Sequence, residues 1–331
     1  MALIGEGTPP SSGVVIVTRD RPSVLRECIL SLASQSLRPE LVVVVDASDD
    51  GATFSLVREH ISEVPFQLFY LAAEARSAAR QRNQGARSVT TDLLFFLDDD
   101  VVLEDGFISN IVEVFERDTQ KLVGGVGGTV VNEVYTAPSR LNSLLLRFCI
   151  GPVQGSYAGR LLGPALNFLP ADTPEPQSVD WLRSGCVAYR REVFAEFLFS
   201  NSFQGYSFAE DVHLSARIAK RFKLLSTGRA RLYHKSLGGR THRDWTALGE
   251  MIICNRHEIM VHVLQRRAFL HYIRLVLAEF IYSPAASMWN GGQWGHPGRT
   301  ALMTWGKLRG LAKIITGRSP HDLARTATVQ S

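Results

Sequence analysis

The sequence has little cysteine and lacks the segments that export or embed a chain. Its four cysteines lie in apolar stretches without paired spacing, which is typical of reduced core residues in a cytoplasmic protein and not of a disulfide framework. Residues 1–13 contain no basic region followed by an apolar core, so a signal peptide is not expected. Residues 262–282 are strongly apolar, but three arginines and a glutamate among them make a poor membrane span.

Several catalytic motifs are also missing. There is no GxSxG elbow and no phosphate-binding GxxxxGK segment, which argues against an α/β-hydrolase and a P-loop enzyme. His257, Glu258 and His262 miss the zinc-protease spacing by one residue, and five residues along a helix place the two histidines on different faces. Residues 124–128, Gly-Gly-Val-Gly-Gly, do not fit the dinucleotide pattern and are expected to let a backbone pass close to a ligand or another strand.

The composition suits an α/β enzyme. The chain has 331 residues, of which 45% are hydrophobic and 21% charged, enough for one large domain with a helical appendix. Its net charge of +4 is gathered in the C-terminal region and in residues 76–87, without the aromatic interleaving of a strand-binding groove. Nucleic acid is therefore not expected as a partner.

Three short apolar runs predict buried parallel strands. They are Val14–Val17, Leu41–Val45 and Leu93–Leu97, and segments with helical spacing separate them. Alternation of strands and helices predicts a parallel sheet, whose carboxyl ends meet at one edge where ligands bind. Thr18, Asp46 and the acids from Asp98 onward follow these strands directly, so we expect them in one crevice.

The triplet Asp98, Asp99 and Asp100 is the most informative motif. Carboxylates packed this closely repel one another unless a cation lies between them, which favours a divalent metal site. The alternative is a solvated turn whose last acid caps a helix. Convergence with the other strand ends favours the metal site, because an isolated acidic turn would lack it.

Residues 76–87 contain four arginines, and no acid lies between Glu74 and Asp92. Beside a metal site, such a segment suits an anionic ligand such as a diphosphate, which arginine can bind in a bidentate way. The alternative is a solvated basic helix face. We expect one or two of these arginines, and not all four, to bind a ligand, and a nucleotide would suit both the arginines and the metal.

In order and spacing, these segments resemble the motifs of family 2 glycosyltransferases, which have the GT-A fold. The resemblance covers about residues 12–236. Its segments are residues 14–18, 44–51, 82–85, 96–100, 184–194 and 209–217. The resemblance implies an α/β fold of GT-A type, with a Rossmann-like, mostly parallel sheet flanked by helices and a C-terminal helical appendix.

The resemblance further implies an inverting transfer from a nucleotide-diphosphate sugar carrying UDP, dTDP or GDP. Asp46 would bind the base, and Asp98 would face the ribose or the metal. Asp99 is ambiguous, because the family usually has a non-acid there. The implied donor-binding residues are Thr18, Arg19, Asp46, Arg76, Arg82, Asp98 and Asp99.

The implied metal, Mg²⁺ or Mn²⁺, would be held by Asp98, Asp100 and His234. Asp100 would be the direct ligand, and His234 a third ligand or a phosphate donor. Histidines near strand ends are otherwise ordinary hydrogen-bonding residues, which is the alternative for His234.

Glu210 and Asp211 begin a helix that is predicted to continue through Ile218. By resemblance Asp211 is the base that takes the proton of the acceptor hydroxyl, and Glu210 orients it or holds the acceptor. The alternative is that both acids only complement the positive end of the helix.

The end of the chain carries a different signal. From Ala285 onward there are six lysines and arginines against one acid, Asp322, together with apolar residues at helical spacing. This resembles a basic amphipathic helix on an anionic membrane, and a helix packed on the catalytic domain or on a partner chain is the alternative. Attachment to the inner face of the membrane would suit a lipid-linked or envelope glycan acceptor.

The predicted organisation is a flexible N-terminus at 1–12, a catalytic domain at 13–240 and a helical, basic amphipathic region at 241–331. Within the domain, 13–100 would form the nucleotide-binding half and 101–240 the acceptor half. Two rival functions are open: a metal-dependent nucleotidyltransferase or phosphohydrolase, and a non-catalytic sugar-nucleotide-binding scaffold at the membrane. The Gln-x-x-Arg-Trp motif of processive synthases is absent, so transfer of single sugars is expected.

Overall fold

Strands and helices alternate through the first hundred residues of the computed structural model, which describes residues 9–235, 244–289 and 296–329. Most of the predicted flexible N-terminus and the predicted domain boundary at residue 240 lie outside the described residues. In chain order the first elements are β1 (Ser12–Thr18), α1 (Pro22–Ala33), β2 (Leu41–Asp46), α2 (Ala52–His60), β3 (Gln67–Ala72), α3 (Ala78–Ser88) and β4 (Leu93–Asp98).

These first strands form the parallel part of the sheet, in the order β3-β2-β1-β4. The three predicted strands are confirmed; β1 is three residues longer than the predicted run, and β2 and β4 are each one residue longer. All of β1 is buried, because α1, α2 and a later helix cover one face of the sheet while α3 covers the other. Thr18, the last residue of β1, lies opposite Asp46, the last residue of β2. The two strands therefore end at the same edge of the sheet, as predicted.

The sheet continues with elements from residues 101–234. These are β5 (Val101–Leu103), α4 (Phe107–Arg117), β6 (Val123–Val130), α5 (Arg140–Ile150), β7 (Leu161–Leu162), β8 (Leu166–Asn167), β9 (Gln177–Ser178), β10 (Cys186–Arg190), α6 (Arg191–Glu196), α7 (Glu210–Ile218) and β11 (Lys223–His234). The strand order is β4-β10-β6-β11-β5, and β9 pairs with β11.

The mostly parallel α/β sheet is confirmed, and the parallel arrangement predicted from strand and helix alternation holds for β1 to β4 and again between β6 and β11. Strand β10 is antiparallel to β4 and β6, and β11 is antiparallel to β5 and β9. The physical reason lies before β10, where the chain from 151 to 185 has no helical crossover and brings β10 into the sheet from the opposite direction.

The glycines of β6 make room for aromatic rings. A Cβ atom on Gly125 would lie 2.7 Å from the ring of Tyr189, and one on Gly128 would lie 2.5 Å from Phe107. The run thus mainly makes room for side chains on both faces of the sheet, and the predicted close approach of a backbone is found at Gly128, where a Cβ atom would lie 2.8 Å from the Ala230 carbonyl oxygen of β11.

The C-terminal helices form the predicted appendix. They are α8 (Trp245–Glu258), which continues as a π-helical turn (Ile259–Val263), α9 (Phe269–Leu277), a second π-helical turn (Ala278–Tyr282), α10 (Ser283–Trp289), α11 (Pro297–Ile315) and α12 (Pro320–Val329). Across the described residues, we find no helix with both the length and the apolarity that crossing a bilayer requires.

Helix α11 lies against α8 with its backbone in close contact. A Cβ atom on Gly249 would lie 2.1 Å from the Met303 carbonyl oxygen, so this crossing requires glycine. One face of α11 is thus packed on the appendix itself, while Leu302, Trp305 and Leu308 on its other face are exposed.

Candidate active site

A cleft of about 620 Å³ opens at the carboxyl ends of β1 and β4. It is where an α/β sheet is expected to bind a ligand. The predicted site residues that line it are Thr18, Arg19, Arg76, Arg82, Asp98, Asp100, Glu210, Asp211 and His234. Asp46 and Asp99 are not among the described residues that line it.

Asp98, Asp100 and His234 come together at one side of the cleft. One ligand atom from each lies within 4.8 Å of the others. The sheet explains the convergence, because His234 at the end of β11 pairs with Val101, directly after the acidic triplet. Two carboxylates and an imidazole form a donor set that suits Mg²⁺ or Mn²⁺, so these residues fit the implied metal.

His234 is held by a carboxylate on each ring nitrogen. Its Nε2 lies 3.0 Å from Asp100 Oδ1, and its Nδ1 lies 2.7 Å from Glu133 Oε1. The hydrogen bonds with Asp100 and Glu133 raise the pKa of His234 to about 9. Glu133 also pairs with Arg183. A carboxylate on the second ring nitrogen is the arrangement that orients metal-ligating histidines.

Asp99 points away from the cleft. Its side chain is completely buried, accepts a hydrogen bond from Thr18 Oγ1 at 2.6 Å, and pairs with Arg21 at 2.5 Å. Burial raises the pKa of Asp99 to about 7, against the opposing effect of Arg21. Arg21 also donates to Asp100 at 2.8 Å. Arg21 and Thr18, which both line the cleft, therefore fix the conformation of the acidic turn.

Asp46 is the last residue of β2, and its carboxylate accepts hydrogen bonds from nearby residues. Its Oδ1 accepts a hydrogen bond from the backbone N–H of Ser48 at 2.9 Å, and its Oδ2 accepts one from the hydroxyl of Tyr70 at 3.1 Å. The side chain is buried beside the cleft. The described geometry thus gives Asp46 a part in fixing the turn after β2.

Arg82 joins the two sides of the cleft. It is almost fully buried, and it donates to Asp98 at 2.9 Å and to Glu210 at 2.7 Å. Burial lowers the pKa of Arg82, but the charges of Glu210 and Asp98 more than offset this and raise it overall. Arg82 is therefore a fixed cation between Asp98 at the end of β4 and Glu210 at the start of α7.

Arg19 and Arg76 line the cleft from its rim. The Arg19 side chain is half exposed and lies 3.2 Å from Asp20, and Arg76 pairs with Asp49. Exposed pairs of this kind contribute little to stability and can be exchanged for a ligand at small cost. Both arginines are thus accessible to an anion in the cleft.

Glu210 and Asp211 start α7, as predicted, and face the cleft. Glu210 accepts from Arg82 and, at 3.2 Å, from Ser184 Oγ. Burial raises the pKa of both carboxyls, and the charge of Asp211 raises the pKa of Glu210 further. Asp211 is less buried than Glu210, so it is the carboxyl that a ligand can reach.

The turn before these acids is strained. Ser207 and Ala209 have φ angles of 54° and 63°, a region that costs non-glycine residues energy and is found mostly where function requires it. Helix α8 supports this turn, because Asn255 Nδ2 donates to the Phe208 carbonyl at 2.6 Å. The C-terminal appendix thus helps to aim Asp211.

Gly185 is required by contact with Asp98. A Cβ atom at Gly185 would lie 2.2 Å from Asp98 Oδ2, so any side chain here would displace that carboxylate. The Ser-Gly-Cys segment at residues 184–186 therefore needs glycine at its centre to leave room for the carboxylate of Asp98.

Sequence reasoning missed Arg21, Glu133, Arg183 and Ser184 as site residues. Two of them had a usable signal, because Arg183 and Ser184 adjoin the Gly185 segment. Arg21 stands in the polar turn after β1, where its partner could not be identified. Glu133 follows β6 and had no local signal.

The sequence is similar to a known family over more than half of its length. The family profile described as Glycosyl transferase family 2 matches residues 13–198 of the 331. Its match includes β1, β2, α3, β4 and β10 and ends before the predicted base at Asp211.

Two characterised proteins are similar in sequence. A glucosyl-dolichyl phosphate glucuronosyltransferase of Haloferax volcanii is 30% identical over 121 residues, which are 36% of this chain and 37% of that protein. The O-antigen biosynthesis protein RfbC of Myxococcus xanthus is 28% identical over 254 residues, which are 71% of this chain and 18% of that protein. The chain thus spans well under half the length of either relative.

Two solved structures share the fold. GalNAc-T7 with UDP, GalNAc and Mn²⁺ matches with a TM-score of 0.56 and 16% identity, over 85% of this chain and 58% of that one. The mannosyltransferase PcManGT from Pyrobaculum calidifontis, in complex with GDP-Man and Mn²⁺, matches with a TM-score of 0.56 and 15% identity, over 92% of this chain and 88% of that one. At these identities the likeness shows the fold.

Proposed function

The chain belongs to glycosyl transferase family 2 and has the GT-A fold, and on that premise we propose that it moves one sugar from a nucleotide-diphosphate sugar to a hydroxyl acceptor, with inversion. One observation carries the proposal. The carboxylate of Asp211 shares a single cleft with Asp98, Asp100 and His234, so a base and a metal-binding set face the same reaction space.

On the donor side, Asp98, Asp100 and His234 would hold Mg²⁺ or Mn²⁺. When bound, such an ion offsets the charge that develops as the nucleoside diphosphate departs. Arg19, Arg76 and Arg183 also line the cleft and supply cations for phosphate oxygens.

On the acceptor side, Asp211 would take the proton of the attacking hydroxyl. Burial raises the pKa of this carboxyl, which makes it a better proton acceptor than an ordinary aspartate. Glu210 is engaged by Arg82 and Ser184, so its role is to fix the start of α7 and not to exchange protons.

The donor and acceptor classes follow from chemistry shared with the matched proteins. UDP and GDP sugars occur in the two solved structures, and dTDP is the third expected base. One relative acts, by its name, on glucosyl-dolichyl phosphate, and the other serves O-antigen biosynthesis. We therefore propose a saccharide or lipid-linked acceptor of an envelope or exported glycan.

We place this reaction in the cytoplasm or on the inner face of the membrane. Cys28, Cys149, Cys186 and Cys254 are all buried and unpaired, which supports a reducing compartment.

The test is calorimetric titration with UDP, dTDP and GDP, with and without Mn²⁺. We expect metal-dependent binding of one diphosphate that Asp100→Ala abolishes, because Asp100 is one of the three candidate ligands and its Oδ1 lies 3.0 Å from His234 Nε2. Glu116→Ala, which removes an exposed carboxylate from α4, is the control and should bind as the wild type does. A folded wild-type protein that binds none of the three would refute the donor site.

The rival functions make different predictions in a turnover assay. A nucleotidyltransferase would release pyrophosphate and a phosphohydrolase would release phosphate, and neither needs Asp211. A scaffold would bind the sugar nucleotide without turning it over. Release of nucleoside diphosphate that depends on both acceptor and Asp211 would exclude all three.

Metal affinity is expected to rise with pH between 6.5 and about 9. The pKa of His234 is raised, so its ring is protonated at neutral pH without metal, and a metal must displace that proton from Nε2. The ion pairs of protonated His234 stabilise the metal-free fold fully below pH 6.5, and this contribution is lost as pH rises through 9. Titration of Mg²⁺ across this range measures the slope.

His234→Gln is the matched variant for this measurement. It should bind Mg²⁺ more weakly and lose most of the pH dependence, because glutamine has no proton to release. A wild-type affinity that does not change between pH 6.5 and 9 would show that His234 is not a ligand.

A further inference from the structure

Helices α5 and α9 lie side by side and expose large apolar side chains. On α5, Leu141, Leu144 and Phe148 follow the spacing of one helix face, and Phe148 is 71% exposed. On α9, Phe269 is 79% exposed, and Leu270, Ile273 and Val276 are also exposed. The two helices contact each other, so we treat these seven residues as one surface, the α5/α9 face. Exposed apolar patches of this kind mark interaction sites.

The charge around the α5/α9 face is mostly positive, although Asp180 pairs with Arg160 at 3.2 Å. Residues 134–171 contain three arginines and no acid, and residues 259–278 contain three arginines and no acid. Arg140 and Arg147 on α5 and Arg267 before α9 are exposed. The next acid in the chain after α9, Glu279, is fully buried and paired with Arg256 and Lys307. The face therefore presents apolar and basic groups together.

We propose that the α5/α9 face binds the surface of an anionic membrane. Apolar side chains of an interfacial helix enter the boundary between headgroups and acyl chains, while arginines beside them pair with anionic headgroups. The charge also argues against the chief alternative, a symmetric dimer. Two copies joined through this face would bring their arginines together without acids to oppose them.

The face is connected to the cleft through one layer of packing. The inner side of α5, with Leu146 and Ile150, packs in one cluster with Leu162 and Leu166 of the β7–β8 hairpin. Asn167, the residue after Leu166, lines the cleft. A bilayer on the outer side of α5 would therefore lie next to the part of the cleft that faces the acceptor.

This placement adds a membrane surface to the proposed function, and one part of it rests on that function. If the chain is a glycosyltransferase, the α5/α9 face selects a lipid-linked acceptor, whose hydroxyl is presented at the membrane surface. Membrane binding itself does not depend on catalysis, so the two can be tested separately.

The experiment is co-sedimentation of the full chain with vesicles. One set is phosphatidylcholine alone, and the other contains about 30% phosphatidylglycerol. We expect the protein to partition onto the anionic vesicles and to be released by salt at about 0.5 M, because the arginines act through screened charge. Leu144→Glu with Phe148→Glu should lower the partition coefficient at least about tenfold, since both side chains leave the apolar layer.

The matched control is Ile61→Glu with Leu122→Glu, two exposed apolar residues on other parts of the surface. It makes the same charge change and should partition as the wild type does. A third variant, Leu302→Glu with Leu308→Glu, tests the exposed side of α11. Loss of binding only in this third variant would transfer the membrane contact to α11 and overturn the proposal.

Two further outcomes would also overturn it. One is a wild-type protein that binds neither kind of vesicle. The other is a dimer in light scattering that Leu144→Glu with Phe148→Glu dissociates, which would assign the face to a second copy.

Titration of each variant with nucleoside diphosphate and Mn²⁺ keeps the two proposals distinguishable. Retained diphosphate binding with lost vesicle binding isolates the membrane surface. Vesicle binding in a protein that binds no diphosphate would leave the surface standing and refute the transferase.

Discussion

Replacing Asp211 by asparagine is expected to lower kcat by about 10²–10⁴-fold, the usual contribution of a positioned general base. The amide has nearly the same size and can still accept the hydrogen bond that Asp211 Oδ1 receives from the backbone N–H of Val212 at 2.7 Å. It cannot take a proton. Donor affinity should therefore be unchanged while transfer is lost, which steady-state assay of nucleoside diphosphate release and calorimetry together would show.

Glu210→Gln is the informative partner of this variant, because Glu210 is the adjacent carboxyl at the start of α7. Its contact with Arg82 places it in the framework, so we expect a loss of stability and a smaller loss of kcat. If Glu210→Gln abolishes turnover and Asp211→Asn does not, the base is Glu210 and the assignment to Asp211 is wrong.

Much of the cleft could be predicted because its residues follow strong local signals. The acids from Asp98 to Asp100 come directly after an apolar run, and Asp211 stands at the start of a helix after an aromatic loop. Strand ends converge in a parallel sheet, which predicts Thr18, Asp46 and the acids from Asp98 onward in one crevice, whereas Asp211 was assigned to the site by resemblance alone. The resemblance to family 2 glycosyltransferases supplied the roles.

The direction of the strands beyond β4 could not be predicted in the same way. Strand β10 pairs with β4 in antiparallel register, with Cys186 opposite Leu97. This pairing brings Gly185 against Asp98, and only the register reveals that a side chain there would collide with the carboxylate. Hydrophobic pattern specifies which residues of a strand are buried but not which neighbour the strand pairs with.

Contacts between residues far apart in the sequence could not be predicted either. Glu133 meets His234 because β6 and β11 run parallel, with Val130 opposite Leu232, and both chains leave the sheet at the same end. Nothing near Glu133 in the sequence indicates this. The four arginines of residues 76–87 present the same difficulty, since their spacing does not reveal which of them faces the sheet.

The packing of α3 shows which of these arginines faces the sheet. Helix α3 buries small residues, Ala79, Asn83 and Ala86, and Gly85 lies against Val15, so the helix approaches the sheet closely. The helix has no stripe of large apolar residues, and small side chains pack against the sheet in their place. Arg82 lies on the same buried side, which is why it and not Arg80 or Arg87 reaches Glu210 and Asp98.

Arg82→Met is therefore expected to destabilise the fold by about 3–5 kcal/mol, the range found when one partner of a buried ion pair is removed. The methionine can fill much of the space, but Glu210 would be left buried without its cation. Denaturant unfolding followed by tryptophan fluorescence and by circular dichroism would measure the change.

The variant should also make the pH dependence of stability steeper and extend it to higher pH, because the pKa of Glu210 is already raised in the wild type. Burial already raises the pKa of Glu210 with Arg82 present, and removing the cation raises it further. A carboxyl with a raised pKa favours the fold only while it is protonated, so the stability of Arg82→Met should fall as pH rises from about 4.5 through neutrality. Adding Glu210→Gln should remove this slope and restore part of the stability.

Arg87→Met is the control within the same helix. Arg87 pairs at 3.0 Å with Glu74, and both side chains are more than half exposed, so its loss should cost only about 0–1 kcal/mol. Equal unfolding midpoints for Arg82→Met and Arg87→Met would contradict the inferred role of Arg82. If the two midpoints differ as expected, a single buried cation couples Asp98, a proposed metal ligand, to the helix that carries Asp211. Loss of catalysis in Arg82→Met would then report a displaced base, even though Arg82 itself exchanges no proton.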